Sequence, residues 1–134
     1  MSLTEKISES EFEVMKILWR EVQPVPFADI RTELNEKMGW KKSTIATLLR
    51  RLQDKGVVLA KEKQEITHKE KRIHYYTPNI TKSEYIKAKE KSMIDKLYEG
   101  SAKNLAVALC HRGELTEADI DELKSYFQMG GTDE

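Results

Sequence analysis

Apolar residues recur through the first half of the chain at helical spacing and are interrupted by proline or glycine. Phe12, Met15, Trp19 and Val22 fall at i, i+3, i+7 and i+10, and Val14 and Leu18 widen the stripe. Ser8 and Glu11, in "SESE", have the S-x-x-E spacing of a capping box, which predicts that the helix starts there. Pro24 and Pro26 in "QPVP" end it, because proline cannot continue a helix. A second helix is predicted from near Phe27, with Ile30, Leu34 and Met38 on one face and Gly39 as a left-handed C-cap. A third opens at Lys42 or Ser43, places Ile45, Leu48, Leu49 and Leu52 at i, i+3, i+4 and i+7, and closes at Gly56.

The period then changes. "VVLA", residues 57–60, is short and β-branched and reads as a strand. A second strand, "RIHYYTP", runs from Arg72 to Pro78 and alternates Ile73, Tyr75 and Thr77 with Arg72, His74 and Tyr76. Between them "KEKQEITHKEK" is highly charged and has no core-facing pattern. Three helices followed by a hairpin with a charged tip is the order of a winged helix-turn-helix.

Beyond Pro78 the pattern is helical again. "TKSE", Thr81 to Glu84, is a second capping box, and Tyr85, Ile86, Ala88, Met93, Ile94 and Leu97 make a long helix ending near Gly100. Another helix holds Leu105, Ala106, Leu109 and Cys110 and stops at Gly113. The last has Thr116 as N-cap, Glu117 and Asp119 in the first turn where the macrodipole favours acids, then Ile120, Leu123 and Phe127.

The fold expected is mainly α with a small β-hairpin wing: a winged helix-turn-helix over 1–79 and a helical dimerisation domain over 80–134. A three-helix tail this short buries only about 60% of its unfolded surface and is marginal alone. Its apolar stripes, Tyr85, Ile86, Met93, Ile94, Leu97, Leu105, Leu109, Ile120, Leu123 and Phe127, are expected to pair with a second copy in a two-fold arrangement.

Composition narrows the function. With 39% hydrophobic and 34% charged residues in 134, the chain has the makings of a helix-rich globular protein with a modest core. No stretch approaches the roughly 18 to 20 uncharged apolar residues of a membrane span, and "MSLTEKISES" has no apolar signal core, so a cytoplasmic protein with no membrane partner is expected. A single cysteine excludes an internal disulfide, no CxxC or Cys/His repeat suggests zinc, and no cofactor is expected.

Enzyme chemistry finds little footing. Glycine-rich phosphate loops, triad spacing and HExxH are all missing from the sequence. Cys110 and His111 are adjacent and point about 100° apart on a helix, so they read as a small buried thiol beside a partly exposed histidine rather than a nucleophile and base. His68 and His74 sit on the wing and read as solvated residues or phosphate contacts. Trp19 and Trp40 read as packing residues.

The net charge of zero hides an asymmetry. Between Lys41 and Arg72 there are ten basic residues against four acidic, whereas from Lys103 onward there are three against seven. The first region should attract polyanions and the second should not.

The third helix lies in the basic region. Opposite its apolar stripe stand Ser43, Ala46, Thr47 and Arg50, flanked by Thr44 and Arg51, with Lys41 and Lys42 at its start. Such a front suits a major groove. Hydroxyls can bond donor or acceptor edges, Ala46 or a threonine methyl can meet a thymine methyl, and guanidiniums can grip phosphate or guanine. Lys69, Lys71 and Arg72 on the wing would reach phosphates. The competing readings are an ordinary solvated face, or a winged helix that contacts protein, which an exposed apolar face on the third helix would mark.

"SESEFEVMKILW", "GWKKSTIATLLRRLQDKG", "YYTPNITKSEY" and "LTEADIDEL" resemble, in order, the penicillinase-repressor family of BlaI, MecI and CopY type, over about Ser8 to Phe127. The resemblance implies a dimeric transcriptional repressor with an N-terminal winged helix and a C-terminal three-helix dimerisation region. It implies inverted-repeat operators with TACA and TGTA half-sites, Thr44 and Thr47 toward bases, and Arg51 toward phosphates. In that family repression is relieved by an inducing protease, often at an Asn-Phe bond after the long helix, or by copper through paired CxC motifs. The matching segment here is "EGSAKNL", with Ser101 and Ala102, and no CxC occurs. "KKSTIATLL" is similar to the copper-responsive members, and the wing is longer than the family's usual short turn.

Overall fold

The computed structural model describes residues 7–65 and 71–130, and the chain separates into two compact units that divide after Glu90. Among the described residues there are six helices and a three-stranded antiparallel sheet. No helix among them is long and apolar enough to cross a membrane.

Helix α1 (Glu9–Arg20) starts where the capping box puts it: the Ser8 hydroxyl accepts from the Glu11 amide at 3.1 Å, and the Glu11 carboxylate accepts from the Ser8 amide at 2.8 Å. Val14, Met15, Ile17 and Leu18 are buried, while Phe12 and Trp19 lie half-buried at the core's margin. Val22, read as the end of the stripe, is instead 95% exposed. The helix stops at Arg20 because Pro24 would clash with that residue's carbonyl, and Glu21 turns extended (φ −89°, ψ 137°).

"QPVP" is more than a breaker. Val25 and Pro26 form a two-residue strand, β1, at the sheet edge, where proline is tolerated. Val25 is buried opposite Tyr76. Helix α2 (Phe27–Met38) buries Ile30 and Leu34 and ends on Gly39 in the left-handed conformation (φ 71°). Met38, expected on the buried face, is exposed on the helix's last turn. Helix α3 (Lys42–Asp54) inserts Ile45, Leu48, Leu49 and Leu52 into the core.

The hairpin is longer than the sequence pattern suggested. Strand β2 (Val58–Glu65) and β3 (Lys71–Pro78) pair from Val58 opposite Pro78 out to Glu65 opposite Lys71, and the sheet order is β1-β3-β2. The charged segment after Ala60 is therefore strand up to Glu65. Its outer part stands in solvent on both faces, so it carries no apolar alternation. Among the described side chains of β3 Tyr76 is the buried one, in the core cluster with Val57 and Val58. His68 and Lys69 lie outside the described residues.

Helix α4 (Lys82–Leu97) opens with Thr81 and Glu84 capping each other's amides at 3.0 and 2.9 Å. Helix α5 (Ala102–His111) is capped by Ser101, and α6 (Glu117–Gly130) by Thr116 with Asp119 in return. From Lys91 onward no described side chain is buried: Leu97 is 70% exposed, Tyr126 64% and Phe127 78%. Cys110, read as a buried thiol, is exposed for the same reason. Tyr85, grouped by its spacing with the dimerisation residues, is buried in the first unit.

Candidate nucleic-acid interface

Residues 39–41 make the turn between α2 and α3. Gly39 supplies the positive φ, and the Asn35 side-chain amide donates to the Trp40 carbonyl at 3.0 Å, which braces the turn from α2. Behind it Trp40 packs half-buried on the core.

The far end of α3 is pinned three ways. Lys55 Nζ donates to Glu11 Oε1 at 2.5 Å, the Asn79 side chain donates to the Gly56 carbonyl at 2.9 Å, and the Val57 amide returns to Leu52 at 3.1 Å. Glu11 is almost wholly buried, its side chain only 2% exposed. Burial pushes its carboxyl upward, but the Lys55 ammonium and the Ser8 donors outweigh this and hold it below the usual carboxylate range. One carboxylate thus serves both the start of α1 and the end of α3.

With its apolar face committed to the core, α3 shows solvent a front that is polar apart from the Ala46 methyl. Lys41, Lys42, Ser43, Thr44, Ala46, Arg50 and Arg51 are exposed and Thr47 is half-exposed. The exposed apolar face that would mark a protein-contact helix is absent from α3, whose large aliphatic side chains are all buried. Thr47 Oγ1 donates to the Ser43 carbonyl at 2.9 Å. In this conformation its hydroxyl proton is used, leaving an acceptor oxygen and a methyl for a base edge.

The start of α3 runs against ordinary helix design. Ser8, Thr81, Ser101 and Thr116 cap α1, α4, α5 and α6 through side-chain oxygens, and α2, which starts on Pro26 without a side-chain cap, has Asp29 in its first turn, whereas Lys41 caps α3 with no side-chain hydrogen bond and no acid lies in its first turn. Free amides, the positive end of the macrodipole and two lysines coincide there, and a phosphate would satisfy all three. Lys41 and Lys42 also line an open groove of about 470 Å³ with Arg31, Thr32, Asn35 and Glu36 of α2. The sequence pattern does not mark Arg31, an exposed residue that flanks the Ile30–Leu34 stripe of α2.

On the wing the register sorts the charges by face. Glu62 lies 3.3 Å from His74 and 3.8 Å from Arg72, so Arg72 shares its charge within the hairpin. The opposite face carries Lys61 across from Tyr75 and Lys63 across from Ile73, with the Lys63 ammonium 5.5 Å from the Tyr75 ring centre. Neither lysine is ion-paired among the described residues. The sequence pattern points to Lys69, Lys71 and Arg72; with β2 running through Glu65, its period of two brings Lys61 and Lys63 to one face. The Lys71 backbone pairs with Glu65, and Lys69 lies outside the described residues.

The sequence profile described as "Penicillinase repressor" matches residues 7–129. The chain belongs to the penicillinase-repressor family. It is 33% identical over 118 residues to the penicillinase repressor of Bacillus licheniformis, covering 88% of this chain and 86% of that one. The methicillin resistance regulatory protein MecI of Staphylococcus aureus (strain N315) is 29% identical over 122 residues, covering 91% and 93%. The solution structure of the DNA binding domain of the repressor BlaI superposes with a TM-score of 0.50 at 36% identity, covering 63% of this chain and 94% of that domain. In this penicillinase-repressor chain, helices α1 to α3 and the three-stranded sheet make the winged helix.

Proposed function

We propose that this protein is a homodimeric transcriptional repressor in the cytoplasm that seats two copies of α3 in successive major grooves of an inverted-repeat operator with TACA and TGTA half-sites, about 34 to 36 Å apart. The observation that carries the reading is α3 itself: pinned behind, without a side-chain cap and lysine-flanked in front, and polar on its solvent side apart from Ala46. Family membership and the relatives named as repressors support it. Thr44 and Thr47 read base edges, with Ser43, Ala46 and Arg50 beside them. Lys41, Lys42 and Arg51 hold phosphates, as do Lys69, Lys71 and Arg72 on the wing, joined by Lys61 and Lys63. The operon controlled serves resistance or metal homeostasis, and a protease or a metal ion relieves repression.

The roles separate by experiment. Thr44→Ala or Thr47→Ala is expected to cut discrimination between operator and scrambled duplex by about 1–3 kcal/mol. Lys42→Ala or Arg51→Ala should weaken both duplexes alike and lower the salt slope by about 1. Equal losses on both duplexes for the threonine variants would remove them from base reading.

A further inference from the structure

A second groove runs between α1 and α2, on the side of α2 remote from Lys41 and Lys42. With 3.6 residues per turn, about 200° of helix separates Glu33 from Arg31 and Lys37 from Asn35, so the face of α2 that borders this groove stands nearly opposite the one beside the turn into α3. The groove holds about 370 Å³, and every residue that lines it belongs to the unit that ends at Glu90. That volume lies within the range of about 300–1,000 Å³ that small-molecule sites occupy.

Its floor is apolar. Ile17 and Leu34 are buried beneath it, and Trp19 lies half-buried at its edge with the indole N–H already donated to the Ile80 carbonyl at 2.9 Å. The walls are charged and do not balance. Lys16 lies 2.9 Å from Glu13, and Arg20 of α1 donates to both oxygens of Glu33 of α2 at 2.9 and 2.6 Å, its Nε going to Glu21. Arg20 chiefly, with Lys37 behind it, holds the Glu33 carboxyl below the usual carboxylate range, so that acid stays ionised and committed to Arg20. Both carboxylates of the lining are thereby used. Lys37 on the last turn of α2 and Lys82 at the start of α4 are left over: both are exposed, and neither is in an ion pair among the described residues. Two ammoniums gathered above buried aliphatic side chains draw dianions to the groove, and an apolar body bound there gains by covering Trp19 and Leu34.

We infer that this groove binds a small dianion with an apolar body, of which an aryl phosphate is the simplest form, with Lys37 and Lys82 taking the charge and the Ile17–Trp19–Leu34 floor taking the body. The site is separate from the α3 front, so its ligand and DNA do not compete.

NMR of the ¹⁵N-labelled full chain tests this, with phenyl phosphate, inorganic phosphate and benzyl alcohol as probes. The two indole N–H signals serve as reporters, told apart by Trp40→Phe: Trp19 edges the groove, whereas Trp40 sits in the turn before α3. Phenyl phosphate should move the Trp19 signal saturably, at least about tenfold more tightly than either other probe, and leave the Trp40 signal in place. The double variant Lys37→Gln/Lys82→Gln should bind phenyl phosphate about tenfold more weakly and melt, without probe, as wild type does. Lys37→Arg/Lys82→Arg, which keeps both charges, should bind as wild type. Addition of a TACA/TGTA inverted-repeat duplex should not displace the probe. The absence of a saturable Trp19 shift overturns the inference, as does undiminished binding by the glutamine variant. Inorganic phosphate or benzyl alcohol binding as tightly as phenyl phosphate overturns it too, since the groove would then select only charge or only apolar surface. A shift of Trp40 reversed by the duplex would assign the phosphate to the α3 front and equally overturn it.

Discussion

Lys55→Met is expected to destabilise the winged helix by about 3 kcal/mol, the lower end of the range for removing one partner of a buried ion pair. Methionine keeps the apolar stem, so the loss falls on the charge. Glu11 is left almost wholly buried without its cation, whereas Lys55 at 26% exposure was partly wet already, which is why the low end applies. The acid limb should move as well. In the folded wild type the Glu11 carboxyl lies below its ordinary value, so its contribution is full above the ordinary glutamate range and is lost as pH falls through the lowered value. Without Lys55 burial dominates and the folded carboxyl rises, so protonating Glu11 no longer costs the fold, and the variant, less stable at neutral pH, should lose less stability than wild type as pH falls. Thermal melts of both proteins from neutral pH downward check this. Superimposable acid limbs would show that the Lys55 contact contributes nothing.

The second large effect concerns the unit after Glu90. A three-helix unit that leaves Leu97, Val107, Leu123, Tyr126 and Phe127 exposed needs another surface to cover them, and a second copy is the proposed cover. Replacing Leu123 and Phe127, one turn apart on α6, by aspartate should yield monomers in sedimentation. Affinity for the inverted repeat should fall by about 10²- to 10⁴-fold, the avidity of a second linked site. Affinity for a single half-site should stay within about threefold, because the winged helix is untouched. A charged variant that still sediments as a dimer would place the partner surface elsewhere.

How far these features were legible depended on whether the local pattern had a single physical meaning. The capping boxes at Ser8 and Thr81 and the Gly39 stop were readable because each answers a need of the helix end itself, whatever packs around it. The polar front of α3 was readable because four aliphatic residues fixed which side faced inward. Strand β1 was not, since two residues have no period and Pro24 and Pro26 signal only that a helix cannot continue. The outer wing was hidden because a strand exposed on both faces has no reason to alternate, so Lys61 and Lys63 looked like members of a charged loop. Tyr85 shows a different limit. Spacing identifies the apolar side of α4 but not the partner that covers each turn, and this turn is covered by Phe12 and Trp19 of its own chain. Cys110 failed likewise: small apolar residues on a helix read as interior, yet the unit they belong to buries none of its described side chains.

The most direct measurement of the central claim is a binding titration of the full chain against a duplex carrying a TACA/TGTA inverted repeat and a scrambled control, at two salt concentrations. A preference of about a thousandfold or more for the repeat, with affinity for both duplexes falling steeply as salt rises, is the expected result. Equal and weak binding to both would contradict the claim, and would mean that the polar front of α3 is not read against bases.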